Sequence, residues 1–145
     1  VPDGGHIWAR AANYNPAIRQ WCEAHPGAVL YGEVYGNVQS LTYGLGKGEV
    51  QFIAFAASIA GQWMDQGPLF TDLEASNVQC CPVVHAGPFD HDLIKRIGEM
   101  DSQVATVKGH MMEGVVIVPE RERFHGSIGR VAVKHISNRY WEFND

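Results

Sequence analysis

With 145 residues, 46% hydrophobic and 19% charged, the chain has the make-up of one ordinary globular domain, long enough to close a core. No apolar run approaches the ~20 residues of a membrane span, and a formal net charge of −5 argues against a general polyanion binder. The opening "VPDGGHIWAR" has neither a basic segment nor an apolar run, so it does not read as a signal peptide. It has no initiator methionine and reads as a piece that starts partway into a longer protein. Cys22 and the vicinal Cys80-Cys81 form neither a disulfide framework nor a zinc spacing, which points to a reducing, cytoplasmic setting.

In chain order, Asn15-Pro16 predicts a helix start, an N-cap followed by proline at the first helical position. Ile18, Trp21 and Cys22 make its apolar face, and Pro26-Gly27 ends it. "AVLYGEVYG" (28–36) predicts a strand with Val29, Tyr31, Glu33 and Tyr35 on one face and Leu30, Gly32 and Val34 on the other. "GLGKGE" (44–49) resembles a phosphate loop but has no helix after it, so a hairpin turn is expected, leading into a strand over about 49–57. "CCPVVHAG" (80–87) predicts a short strand ended by Gly87-Pro88. Asp90 caps a helix bearing Leu93, Ile94, Ile97 and Met100. "MEGVVIVP" and "GRVAVKHIS" are two more strands, separated by a polar segment. Scattered glycines and prolines, with no repeat or linker, give a single unit over 1–145. Its class is α+β, mainly antiparallel sheet with flanking helices.

Two carboxylates lie in otherwise apolar strands, Glu33 in "LYGEVYG" and Glu113 in "MEGVVIVP". Glycine precedes the first and follows the second, which lets a ligand or another backbone come close. Each could equally be a strand-end glutamate that reaches water or pairs with a surface cation, because a buried charge is costly without a partner. Lys134 interrupts "VAVKHIS" on the face of Ala132 and Ile136. It is either an edge residue that discourages aggregation or part of a site. Phe52 and Phe55 lie on opposite faces of their strand; one of them could stack on a planar ligand, though spacing alone favours the core for both. Arg121, Arg123, Arg130, Lys134 and Arg139 put five of the eleven cations in one short stretch. That patch suits one anionic ligand better than a long nucleic-acid groove. The histidines match no HExxH or HxH pattern, and there is no GxSxG, P-loop or GxGxxG leading into a helix.

"LYGEVYG", "VQFIAFA", "EGVVIVP" and "VAVKHIS", in that order, resemble motifs III, IIIa, IV and V of the covalent nucleotidyltransferases. They look most like the ATP-dependent RNA ligases of the T4 second-ligase type, and "VQSLTYG", "GQWMD" and "ISNRYWE" share that flavour. The resemblance runs from residue 28 to 142 and implies a nucleotidyltransferase (ATP-grasp-like) domain that is N-terminally incomplete and covers motifs III to V. It implies Glu33 as the motif III acid near the nucleotide sugar and a metal, and Phe52 as the aromatic on adenine. It implies Glu113 as the motif IV acid that organises Mg2+ or Mn2+, and Lys134 as the motif V contact to the α-phosphate. Arg121, Arg123 and Arg130 become contacts to the ATP tail or the RNA end. Two departures are visible. Ala132 and His135 flank a single motif V lysine, and Ala56 stands where relatives often have aspartate.

The implied activity is RNA repair: enzyme adenylylation by ATP, AMP transfer to an RNA 5′-phosphate, and attack by a 3′-hydroxyl. The family's nucleophile is the lysine of a K-x-D-G motif, and none of Lys47, Lys95, Lys108 or Lys134 begins one. The only Asp-Gly, Asp3-Gly4, would put Val1 in the nucleophile's place. The expectation is therefore a chain without motif I that cannot adenylylate itself. Rival expectations are a module that holds ATP or RNA ends without chemistry, and an interaction fragment that self-associates through an exposed sheet edge. A membrane partner is not expected.

Overall fold

The structure, a computed structural model, describes residues 5–36 and 38–145. Val1 and Asp3-Gly4, weighed above against the family nucleophile, lie outside them. The chain divides into two compact units, 1–81 with 120–122, and 82–119 with 123–145. Among the described residues no helix is long and apolar enough to cross a membrane.

In the first unit, helix α1 (Ile7–Asn13) leads into α2 (Pro16–Ala24), which begins as predicted. The Asn15 side chain accepts from the Ala17 N–H, and Pro16 sits where no N–H is needed. Gly27, at φ 80°, turns the chain into strand β1 (Ala28–Gly36). β1 pairs antiparallel with β2 (Val50–Ile59), and the two-residue β3 (Gln62–Trp63) adds to the end of β2. Helix α3 (Gln66–Ala75) closes the unit. Trp21, Leu69 and Leu73 pack with Ala54 and Ala57, all 2% exposed or less. Each fully buried leucine contributes roughly 1.5–3 kcal/mol. The Trp21 Nε1–H donates to Asp72 Oδ2 at 2.6 Å, so the indole enters the core with its polar atom satisfied.

Two expectations about β2 and its neighbours change. The β1–β2 register skips Phe55: Tyr31 faces Ala56 and Gly32 faces Ala54. Phe55 is the extra residue of a bulge and is 42% exposed, not core, because a bulge re-aims the side chain it carries. Residues 80–87 form no strand either. Only Cys80 bridges β2, at Ala54, in parallel; the Cys81 N–H donates to Ala54 O at 2.8 Å, and Ala54 N–H donates to Gln79 O at 2.9 Å. The next residue, Pro82, has no N–H with which to continue a ladder.

The second unit holds α4 (His91–Gly98), β4 (Gly114–Ile117), β5 (Phe124–His125), β6 (Gly129–Arg130), β7 (Val133–Ile136) and α5 (Asn138–Asn144). Asp90 caps α4 as predicted, accepting from the Asp92 and Leu93 N–H groups at 3.0 Å each. "GRVAVKHIS" is two strands rather than one: β6 pairs with β5 in a ribbon and β7 pairs with β4. Ser137, fully buried, starts α5 by accepting from the Tyr140 N–H, while its own hydroxyl donates to Met112 O at 3.1 Å. The main pairings of both units are antiparallel, so the α+β class with mainly antiparallel sheet holds.

Candidate functional site

In the second unit the partner of Glu113 is Lys134. Glu113 immediately precedes β4, and its carbonyl accepts from the Ser137 N–H, which carries the β4–β7 pairing one rung past Gly114–Ile136. Lys134 stands opposite Val116 in that ladder. Its ammonium donates to Glu113 Oε1 at 2.5 Å. The carboxylate is three-quarters buried and the lysine about half, with 25% and 54% of each side chain exposed. A largely buried carboxylate at the mouth of an apolar strand is thus met by a cation on the neighbouring strand. An added phosphate would find that cation already placed and partly desolvated.

Gly114 lets this happen. A Cβ there would strike the His135 carbonyl oxygen, so the two backbones meet closely where glycine follows the carboxylate. Next to Lys134 in sequence, His135 packs on the Gly98 backbone. Its Nε2 is buried and has no hydrogen-bond partner among the described residues. With Lys95, Arg96, Glu99 and Asn138 it lines a cavity of about 250 Å³. Sequence inspection passed over this cavity, because its lining comes from two distant stretches, 95–99 and 135–138, and His135 alone has no motif.

In the first unit Glu33 sits in the middle of β1, exposed, opposite Ile53. Phe52 stands opposite Val34, half-buried against the core cluster, with its ring lying over Gly32. Gly32 therefore admits an aromatic ring and the Ile53 carbonyl, where side chains of other residues would collide. The Tyr14 hydroxyl donates to Phe52 O at 3.0 Å and fixes the strand there. Burial, then the Glu33 charge, then Cys80 push the Cys81 thiol up to about 12. That is the direction in which burial in apolar surroundings moves a thiol. Ala56 is 2% exposed and faces Tyr31.

Two of the five clustered cations are engaged within the second unit. Arg139 is spent on structure: it donates to Glu99 O and Asp101 Oδ1, both at 3.0 Å, while Glu99 caps the start of α5. Lys134 is held by Glu113. Arg121 and Arg123 are exposed, and Arg130 is half-buried on β6. No group of three or more His, Cys, Asp or Glu that could hold a metal occurs among the described residues. Single carboxylates such as Glu113 and Glu33 fit a divalent ion that takes its other ligands from phosphate and water, which is how Mg2+ usually binds.

The family model for RNA ligase matches residues 4–136, nearly the whole chain. A search of the curated proteins finds no match. Among solved structures the chain is similar to a mutant of the Naegleria gruberi RNA ligase, a structure that contains AMP and Mn. The TM-score is 0.70 at 21% identity, over 92% of this chain and 39% of that one. The chain thus spans 39% of that relative's length, and the likeness is one of fold. With the family model matched over both units, this chain belongs to the RNA ligase family.

Proposed function

We propose that the chain is the motif III to V part of an ATP-dependent RNA ligase, a single partial nucleotidyltransferase domain over 1–145. The intact activity joins an RNA 5′-phosphate to a 3′-hydroxyl through lysyl-AMP and RNA-adenylate intermediates. The observation that carries this reading is the Glu113–Lys134 pair on adjacent strands, in a chain that belongs to the RNA ligase family. Lys134 binds the α-phosphate, a charge-assisted contact its position beside Glu113 prepares. Glu113 and Glu33 hold Mg2+ or Mn2+, which when bound offsets phosphate charge. Phe52 stacks on adenine, and Arg121, Arg123 and Arg130 take the ATP tail or RNA end. The nucleotide and metal in the solved Naegleria structure support the assignment of ATP and a divalent ion.

A second reading has its own observation. The 145 residues contain no K-x-D-G lysine, so this chain by itself binds nucleotide or RNA ends without forming lysyl-AMP. Calorimetric titration with ATP and magnesium tests the binding. Wild type should take up ATP, Lys134→Met should bind about tenfold more weakly through the lost charge-assisted contact, and labelled ATP should leave no covalent AMP band on a denaturing gel. Absence of any ATP heat sinks the reading, and a covalent band sinks the non-covalent part.

A further inference from the structure

The ribbon β5–β6 has a feature that no motif of the family resemblance uses. Phe124 and Ile128 are 66% and 63% exposed on it, and a Cβ at Gly126 or Gly129 would meet open space. Its turn is well defined: the Ile128 N–H donates to His125 O at 3.2 Å, and Gly129 takes φ 74°, the left-handed residue a G1 bulge needs. Val131 N–H donates to Arg123 O at 3.0 Å and adds a rung below Phe124–Arg130. Phe124 is thus presented on a braced backbone, flanked in sequence by Arg123 and opposite Arg130 in the ladder.

The charge is as uneven as the exposure. The chain has 16 acidic residues against 11 basic, yet from Arg123 to Ser137 there is no aspartate or glutamate. His125 Nδ1 accepts from the Ser127 N–H at 3.3 Å, so the neutral ring carries its proton on Nε2 as a donor. An exposed aromatic ring beside the exposed Arg123, on an acid-free segment of an acidic protein, suits one ligand chemistry: a polyanion with planar faces. Duplex RNA hides its base faces, whereas an unpaired strand offers them.

We propose that the β5–β6 ribbon is a docking platform for single-stranded RNA, with Phe124 stacking on an unpaired base and Arg123 contacting the adjoining phosphate. The inference rests on the RNA ligase reading and adds to it a contact made by residues outside the four motifs. It makes Phe124 a binding residue for the strand, not for ATP.

Fluorescence anisotropy of a labelled single-stranded RNA with the full chain tests it. Phe124→Ala should weaken binding about tenfold and Phe124→Trp should restore it. Arg123→Ala should lower the slope of log affinity against log salt by about 0.7. On an RNA carrying abasic sites, Phe124→Ala should cost nothing further. Because Phe124 is exposed, the variant folds, and unchanged ATP binding by calorimetry verifies this. Equal binding by wild type and Phe124→Ala, an equal loss on abasic RNA, failure of the tryptophan, or duplex RNA bound as tightly as single strands would each overturn the platform. So would a wild-type chain with no RNA affinity. ATP uptake in that case leaves the proposed nucleotide-binding function standing, and its absence removes both.

Discussion

The two units solve the problem of stability differently. The first buries a contiguous apolar cluster built on Trp21, Leu69, Leu73, Ala54 and Ala57. The second has few buried residues, among them Ile97, Met112 and Ser137, and it exposes Phe89, Val116, Phe124, Ile128, Trp141 and Phe143. Polar ties and backbone contact take the place of a core there. Ser137 links Met112 to Tyr140, Arg139 ties Glu99 to Asp101, and β7 lies close against Gly114. The lesson is that the unit with the Glu113–Lys134 ion pair is held by directional bonds. Such bonds fix where a charge sits but add only about 1 kcal/mol each.

The largest expected effect tests the apolar side of that contrast. Trp21 is 2% exposed, stacks on His25 with ring centroids 4.3 Å apart, and shares Asp72 with it. Trp21→Ala should cost roughly 3–5 kcal/mol by leaving a cavity, read as a fall in the urea midpoint. A loss under about 1 kcal/mol would mean that the cluster is not what holds the first unit.

A smaller effect tests the second unit. Gly114→Ala sets a methyl group against the His135 carbonyl oxygen, backbone against backbone, with no flexible side chain to yield. The expected cost is about 1–3 kcal/mol, as for other overpacked sites, and β4 must move away from β7. Because the Glu113–Lys134 pair spans those two strands, ATP affinity should fall along with stability. If ATP binding were untouched, the pair would not depend on close pairing of β4 and β7.

What was legible in the sequence follows the same divide between local and distant causes. α2 and α4 could be read because Asn15-Pro16 and Asp90 cap the helices they introduce. α3 could not. Gly67-Pro68 in its first turn reads as punctuation, and Asp65 gives its carboxylate to the Glu122 N–H at 2.7 Å instead of to its own helix. Ser137 was a visible cap signal for α5, hidden because it closes an apolar strand. The bulge at Phe55 and the break between β6 and β7 are matters of register, which depends on the partner strand. Glu113 and Lys134 each stood out as a charge on an apolar strand. Their meeting depends on the pairing of Ile117 with Val133, which no local pattern records.

The smallest effect separates the units by pH. Asp90 accepts two backbone hydrogen bonds at the start of α4, chiefly from Leu93, and these hold its carboxyl below the ordinary value of 3.8. A depressed folded-state value means that the carboxylate's contribution is present above 3.8 and is lost as the pH falls through the lower folded value. Acid should therefore fray α4 in the second unit from its N-terminus while the Trp21 cluster, apolar except for the Trp21–Asp72 hydrogen bond, stays packed. The Leu93 amide resonance followed from neutral pH downward reads the first event, and the Trp21 indole N–H resonance, assigned among the four tryptophans, reads the second. Asp90→Ala should abolish the acid step at Leu93 and leave α4 frayed at neutral pH. An acid step that survives Asp90→Ala would assign it to another carboxylate, and the difference between the units would not lie in this cap.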